Sequence, residues 1–319
     1  MPMSEKALIA RIRRKAVQGR SLVVGIGDDS AVLKIRDGHQ TLVTTDFSLE
    51  GVHFRREWHP PESVGHRCLA RGLSDIAAMG GEPVAAFLSL ALPRKLPQKW
   101  VDGFLRGLLK LAEKFDVSLA GGDIAESPRG VAADIVVVGS VPKGRAIFRS
   151  GARPGDRIYV TGDLGGSAAT LKLLFDGKSR VRPRDFRQHF YPVPRIEVGR
   201  FLREKNLAAA MIDISDGLST DIAHICGESG VGAEILEQAL PKASIERPAH
   251  AVDLRFALHG GEDYELLFTA PRGKRIPSRI AGVDITQIGQ IKRTNKIVMI
   301  NQQGTARELR PQGWEHFRY

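Results

Sequence analysis

The chain has 319 residues, 42% of them hydrophobic and 26% charged, with 47 Lys and Arg against 36 Asp and Glu and a net charge of +11. That composition excludes a disordered or collagen-like chain, allows two domains of ordinary size, and favours polyanionic partners. Two cysteines, Cys68 and Cys226, stand apart from any CxxC or Cys/His cluster, which excludes a disulfide framework and structural zinc and points to a reduced, cytoplasmic setting.

In chain order, the opening stretch MPMSEKALIARIRRKAV reads as a basic amphipathic helix without the apolar block of a signal peptide. Residues 25–33, GIGDDSAVL, set two adjacent aspartates between apolar runs, and TLVTT at 41–45 reads as a strand. Apolar residues at 64, 68, 69, 73, 76 and 79 predict a helix over 62–79. VAAFLSLAL at 84–92 predicts a strand and is about half the ~20 residues of a membrane helix, so no membrane span is expected. Leu96, Trp100, Phe104, Leu105, Leu108, Leu111, Ala112 and Phe115 mark a second helix, and ADIVVVGSV at 133–141 another strand. The Pro-, Gly- and Arg-rich stretch 142–156 reads as a linker, giving domains at 1–141 and 142–319. Beyond it come strand RIYVT, helix GSAATLKLLF, strand AAMIDI, helix LSTDIAHIC and strand YELLFTA. The fold class is α/β of the α+β type, in two domains.

The paired aspartates of GIGDDSAVL have counterparts in TTDFSLEGVHF, LSDIAAMGGEP, AGGDIAES, TGDLGGS, IDISDGLSTD and HGGEDYELLF. Each places an acid beside glycine or another small residue, at or near an expected strand end. Glycine admits a ligand close to the backbone. Carboxylates that converge repel one another unless a cation lies among them, and Mg²⁺ favours a few carboxylates together with phosphate oxygens. The pattern therefore points to Mg²⁺-bridged phosphate chemistry. A Walker loop is excluded because Lys172 stands where GxxxxGK[ST] needs its leading glycine, and neither a strand-linked GxGxxG nor a kinase signature occurs.

In order and spacing these motifs resemble those of the thiamine-monophosphate kinase family, a branch of the aminoimidazole-ribonucleotide-synthetase superfamily. The likeness runs from about Gly25 to WEHF near the C-terminus, and EGVHF, ISDGL and GGEDYEL together are its most specific part. The resemblance implies transfer of the γ-phosphoryl group of ATP to thiamine monophosphate. It implies several Mg²⁺ ions, with K⁺ as a candidate further ion, held by Asp29, Thr44, Thr45, Asp46, Asp75, Asp123, Asp213 and Asp216, with Asp28 beside them. It implies ATP contacts at Gly122, Arg149 and Ser215, and substrate contacts at His53, Glu262 and Trp314. It also implies an N-terminal mixed sheet with helices that pairs into a homodimer, a C-terminal α/β domain, and an active site in the cleft between domains. Two departures stand out: Ile124 and Ala125 follow Asp123 where the family usually has threonines, and Phe47-Ser48 precedes EGVHF where a threonine is expected.

Physical chemistry is consistent with this assignment. The acceptor is itself a phosphate monoester, largely dianionic at neutral pH with a second pKa near ~6, so no general base is needed. What the reaction needs is neutralisation of two polyanions and their alignment. Arg149 offers a forked cation, and the face of Trp314 suits a cationic thiazolium. Two other readings remain at this level. One is another ATP-dependent enzyme of the superfamily. The other is nucleic-acid binding through the basic, aromatic stretch 178–195, KSRVRPRDFRQHFYPVPR, which also reads as a solvated connection and leaves the acidic motifs unexplained.

Overall fold

Between His39 and Leu49 exposed and half-buried side chains mostly alternate, the two-residue period of a strand with one wet face. In the computed structural model, which describes residues 3–16, 19–26, 30–177, 181–245, 250–315 and 317, this strand opens the main sheet of the first of two units. That unit comprises Met1–Ile76 with Gly81–Gly144, and the second comprises Ala77–Gly80 with Arg145–Tyr319.

The first unit runs α1 (Glu5–Lys15), β1 (Leu22–Val24), β2 (Val32–Leu33), β3 (His39–Leu49), α2 (Pro61–Ala78), β4 (Glu82–Pro93), α3 (Gln98–Lys114), β5 (Ser118–Ser127) and β6 (Ala132–Pro142). Four strands pair in the order β3-β6-β4-β5. All pairs are antiparallel except β4 with β5, and α3 supplies the crossover that a parallel pair requires. Leu69 and Leu73 of α2, Phe104 and Leu108 of α3, and Ile135 and Val137 of β6 are completely buried. Each contributes roughly 1.5–3 kcal/mol by leaving water. The two helices approach through reciprocal glycines. A Cβ on Gly65 would lie 1.9 Å from the Phe104 carbonyl oxygen, and one on Gly107 would lie 1.9 Å from that of Glu62. On β3 the side chains of Val43 and Phe47 are 66% and 59% exposed.

The second unit runs β7 (Arg157–Thr161), α4 (Gly166–Asp176), α5 (Arg187–Phe190), α6 (Ile196–Glu204), β8 (Ala210–Asp213), α7 (Leu218–Ser229), β9 (Gly232–Leu236), β10 (Ser244–Ile245), β11 (His250–Ala251), α8 (Leu254–His259), β12 (Leu266–Ala270), β13 (Arg279–Ile280), β14 (Val283–Lys292), β15 (Ile297–Ile300) and β16 (Ala306–Glu308). Its sheet has the order β16-β15-β9-β14-β7-β12-β8, with β13 on β14. Ile158, Val160, Ile212 and Leu267 from the strands and Ile222 and Ile225 from α7 share its core. The neighbouring strands β7, β12 and β8, the last of them the sheet edge, place their ends next to the acidic motifs.

The expected helices and strands through residue 270 form near the expected positions. Three acids differ in setting from the expectation of strand ends: Asp75 lies within α2, and Asp46 and Asp123 lie inside β3 and β5. A glycine beside an acid reports local backbone freedom, and that alone does not distinguish a turn from a strand edge or a helix end. In the basic stretch, 178–180 lie outside the described residues, while His189 and Phe190 are buried and α5 packs on α4. A Cβ on Gly166 would meet the Gln188 side chain at 1.8 Å. Of the three aromatics in the stretch, Phe190 is thus spent on the core, while Phe186 and Tyr191 are half-buried. Among the described residues no helix is long and apolar enough to cross a membrane.

Alanine normally gains up to about 1 kcal/mol over glycine inside a helix. At Gly107 the Cβ would enter backbone, so Gly107→Ala is expected to destabilise the first unit by about 1–3 kcal/mol instead. Urea denaturation monitored by circular dichroism reads the sign directly.

Candidate functional site

In the first unit β3 carries three of the expected ligands on consecutive residues, which a strand points to alternate faces. Thr44 faces α2, where its Oγ1 donates to Asp75 Oδ2, and Asp46 shares that face. Gly72, one turn before Asp75, lets this happen: its bare Cα faces Val137, and a Cβ there would come within 3.6 Å of Thr44 Cγ2. The structure therefore brings Thr44 and Asp75 together, with Asp46 one step along the same side. Thr45 points the other way and donates to Asp134 Oδ1 at 2.7 Å. Its hydroxyl does not join the Thr44 pair.

Gly122 and Asp123 are on β5, at the far edge of the sheet. Asp46 is in register with Ile135, Ile135 with Leu88, and Leu88 with Gly122, three strand spacings in all. At about 4.8 Å each, Asp46 and Asp123 stand ~14 Å apart and cannot share an ion within one sheet. Gly122 has φ 145°, and a Cβ would lie 1.9 Å from the Leu88 carbonyl oxygen, so only glycine fits. Ile124, where a threonine was expected, donates its N–H to Asp123 Oδ1 at 2.8 Å. A cavity of about 320 Å³ opens beside these residues, lined by Ile12, Phe87, Leu90, Leu119, Gly122 and Asp123 among others. Asp28 and Asp29 lie outside the described residues.

His53 lies in the turn after β3, not on the strand, and its Nδ1 accepts from the Leu49 N–H at 3.0 Å. In the neutral ring the proton is then on Nε2.

The second unit gathers more of the expected residues. Asp213 ends β8, and the chain turns there through Ile214, Ser215 and Asp216 into α7. The loop 260–265 is stitched to this turn: Glu262 N–H donates to Ser215 O at 2.8 Å, Tyr264 N–H to Ile214 O at 2.9 Å, and Ile214 N–H to Glu265 O at 2.7 Å. Trp314 N–H donates to Asp216 O at 3.1 Å. Asp213, Ser215, Asp216, Glu262 and Trp314 thus come together on one framework of backbone bonds. Arg149 lies outside that framework, exposed in the irregular stretch before β7.

Two residues that the motifs did not nominate join the group. Ligand atoms of Asp216, Asp221 and His224 all lie within 4.8 Å of one another. Asp221 is buried, and its Oδ2 accepts from the Gly217 N–H at 3.0 Å. Burial, then the charges of Asp213 and Asp216, push its carboxyl well above the usual carboxylate range. Spacing of i and i+3 on a helix after an acidic turn was the available signal for Asp221 and His224.

Beneath Glu262 lies a buried brace. Asp263 Oδ2 accepts from the Gly165 N–H at 2.6 Å and Oδ1 from the Ser167 N–H at 3.2 Å, which caps α4. Glu265 takes a two-point contact from Arg195 and a hydrogen bond from Thr161. The strapping holds Glu262 and Tyr264, neither of them glycine, at φ 64° and 53°. Burial pushes Asp263 up to about 7, against the pull of its two backbone donors.

Residues 27–141 match the family described as AIR synthase related protein, N-terminal domain, and residues 153–300 match AIR synthase related protein, C-terminal domain. A thiamine-monophosphate kinase of Salmonella typhimurium is 38% identical over 99% of both chains. One of Bacillus subtilis is 35% identical over 99% of this chain and 100% of its own. This chain belongs to the thiamine-monophosphate kinase family. Among solved structures, thiamine-monophosphate kinase from Stenotrophomonas maltophilia superposes with a TM-score of 0.81 at 34% identity, covering 94% of this chain and 97% of that one. AaThiL complexed with AMPPCP and TMP gives 0.78 at 33%, covering 98% and 96%. The hydrogenase maturation protein HypE shares the fold, with a TM-score of 0.78 at 18% identity.

The raised Asp263 sets a pH dependence. The folded protein keeps a proton at about 7 that the unfolded chain releases in the ordinary carboxylate range, near 4. Stability therefore falls as pH rises between those values, and the loss is complete above the upper one. The protein without added metal is expected to unfold at less urea at pH 8 than at pH 6, and Asp263→Asn is expected to flatten that difference.

Proposed function

We propose that this chain transfers the γ-phosphoryl group of ATP to thiamine monophosphate, yielding thiamine diphosphate and ADP. The observation that carries the reading is the joining of Asp213, Ser215, Asp216, Glu262 and Trp314 by backbone bonds between the 213–216 turn, the 260–265 loop and the C-terminal stretch. Full-length relatives at 35–38% identity bear the same enzymatic name, and a relative at 33% binds an ATP analogue and TMP.

Mg²⁺ fits the donors present. Apart from the exposed His224 they are oxygens, and the cost that Asp213 and Asp216 impose on ionising Asp221 is the kind a divalent cation removes. When bound, Mg²⁺ neutralises phosphate charge and bridges phosphoryl oxygens. Asp213 and Asp216 would hold it in the second unit, and Thr44, Asp46 and Asp75 in the first. Asp123 would hold Mg²⁺ from β5; K⁺, also a cation for oxygen donors, is the candidate addition. Gly122 brings bare backbone to the nucleotide, and the neighbouring apolar cavity has room for its base. Ser215 and Arg149 add a hydroxyl and a cation for phosphate.

The acceptor phosphate is already anionic, so the chain supplies position rather than a base. His53 presents Nε2–H as a hydrogen-bond donor. Glu262, held in the left-handed region by its bond to Ser215, offers a carboxylate to the cationic acceptor. Trp314, 54% exposed, offers an aromatic face to the thiazolium.

A homodimer is part of the proposal, in a cytoplasmic enzyme. Val43 and Phe47 project from the face of β3 opposite Thr44 and Asp46, and a second copy would cover them. Phe47→Asp is expected to shift the sedimentation coefficient of the wild-type dimer to that of a monomer. The activity is tested by ADP release in a coupled assay. Release is expected to require thiamine monophosphate and Mg²⁺, and Asp216→Asn is expected to lower kcat by at least about 100-fold while the protein stays folded. ADP release that ignores thiamine monophosphate would overturn the reading.

A further inference from the structure

Near its end the chain crosses back over the first turn of α7 and bonds to it through three successive backbone N–H groups. Gln312 N–H donates to Ser219 Oγ at 3.3 Å, Gly313 N–H to Thr220 Oγ1 at 3.1 Å, and Trp314 N–H to Asp216 O at 3.1 Å. The approach is close enough to require glycine in the middle, since a Cβ on Gly313 would lie 2.0 Å from Asp216 O and 2.6 Å from Thr220 Oγ1. Ser219 is itself fixed. Its Oγ lies 2.8 Å from His259 Nδ1, and burial, with the charge of Arg307, holds that histidine below its ordinary pKa. The direction of that bond follows the ring tautomer, and in either tautomer a Ser219 lone pair remains to accept from Gln312. Upstream the strap is pinned by Leu309, buried, whose N–H donates to Ile297 O at 2.9 Å.

None of these three N–H groups belongs to a helix or a sheet, so two side-chain hydroxyls and one carbonyl are their partners. Both hydroxyls sit on consecutive residues of α7, directly after the acidic turn. The geometry assigns Thr220 and Ser219 as positioning residues that seat the C-terminal strap on the 213–217 turn and thereby set Trp314 for the organic half of the acceptor. This rests on the reading of Trp314 as the aromatic neighbour of thiamine monophosphate. Neither hydroxyl touches the reacting groups in this assignment. Their removal changes where the indole stands and leaves the acids of the turn in place.

The test uses the full-length protein and the pair Thr220→Val and Thr220→Ser, the first isosteric without the hydroxyl, the second keeping it. Hydrogen–deuterium exchange of the amides of Gln312 to Trp314, without ligand, reads the strap itself. Exchange is expected to be at least about fivefold faster in T220V and near wild type in T220S, the effect of one lost hydrogen bond. Quenching of Trp314 fluorescence by thiamine monophosphate, measured against Trp314→Phe, is expected to weaken about tenfold in T220V. KM for thiamine monophosphate should rise by a similar factor, with kcat and the KM for ATP unchanged. Unchanged exchange in T220V, or T220S as impaired as T220V, would overturn the assignment. So would faster exchange with thiamine monophosphate affinity and KM unchanged. Wild-type protein that neither binds nor consumes thiamine monophosphate, with exchange as expected, would instead refute the kinase reading and leave the strap standing only as a tether.

Discussion

The carboxylates of Asp213, Asp216 and Asp221 sit at the end of one short strand and the start of one helix, close enough that the first two resist ionisation of the third. Like charges at such range are costly in a partly dry setting. The fold meets the cost with backbone. Gly217 N–H bonds to Asp221, the 260–265 loop and the C-terminal strap bond to the carbonyls of 214–216, and the Arg195–Glu265 pair locks the loop from beneath. Much of the second unit follows from the need to hold acids together in the absence of a cation and to present them to one.

The first unit meets the same need differently. Here the acids are spread over one strand edge, one helix and the opposite strand edge. A glycine allows each close approach: Gly72 lets α2 bring Asp75 over Thr44, and Gly122 presses β5 against β4 beside Asp123. A separation of about 14 Å between Asp46 and Asp123 within the sheet keeps these like charges apart. Charge separation and the hydrophobic crossing of α2 and α3 through Gly65 and Gly107 are two consequences of placing small residues where backbones meet.

Much of this was legible in the sequence. Helical and strand periods marked α1–α4, α7, β3, β4, β6–β8 and β12, most of them long or one-sided, while β5, α6, β9 and α8 went unmarked, and the motifs named most of the residues that gather around Asp216. The settings of Asp46, Asp75 and Asp123 were not legible, since a glycine next to an acid is equally at home at a strand edge and in a helix packed on a sheet. The partners of buried acids were hidden too. Asp263 accepts from Gly165 and Ser167, 98 and 96 residues away, and the Arg195–Glu265 pair is separated by 70. The C-terminal strap was illegible for the same reason: its hydrogen bonds span 93 residues and end on ordinary-looking serine and threonine hydroxyls. Past 270, β13, β15 and β16 carry too few residues to show a period, and the ten-residue β14 is broken by an irregularity between Gln287 and Gly289.

The central claim is that clustered carboxylates in a basic protein are built to bring two phosphorylated molecules together through Mg²⁺. The most direct measurement is ³¹P NMR of the protein with ATP and thiamine monophosphate while Mg²⁺ is titrated in. The account predicts that the monoester resonance gives way to diphosphate resonances and that ADP appears in step, only once Mg²⁺ is present, with EDTA arresting the change. ATP and thiamine monophosphate both unchanged at saturating Mg²⁺ would contradict it.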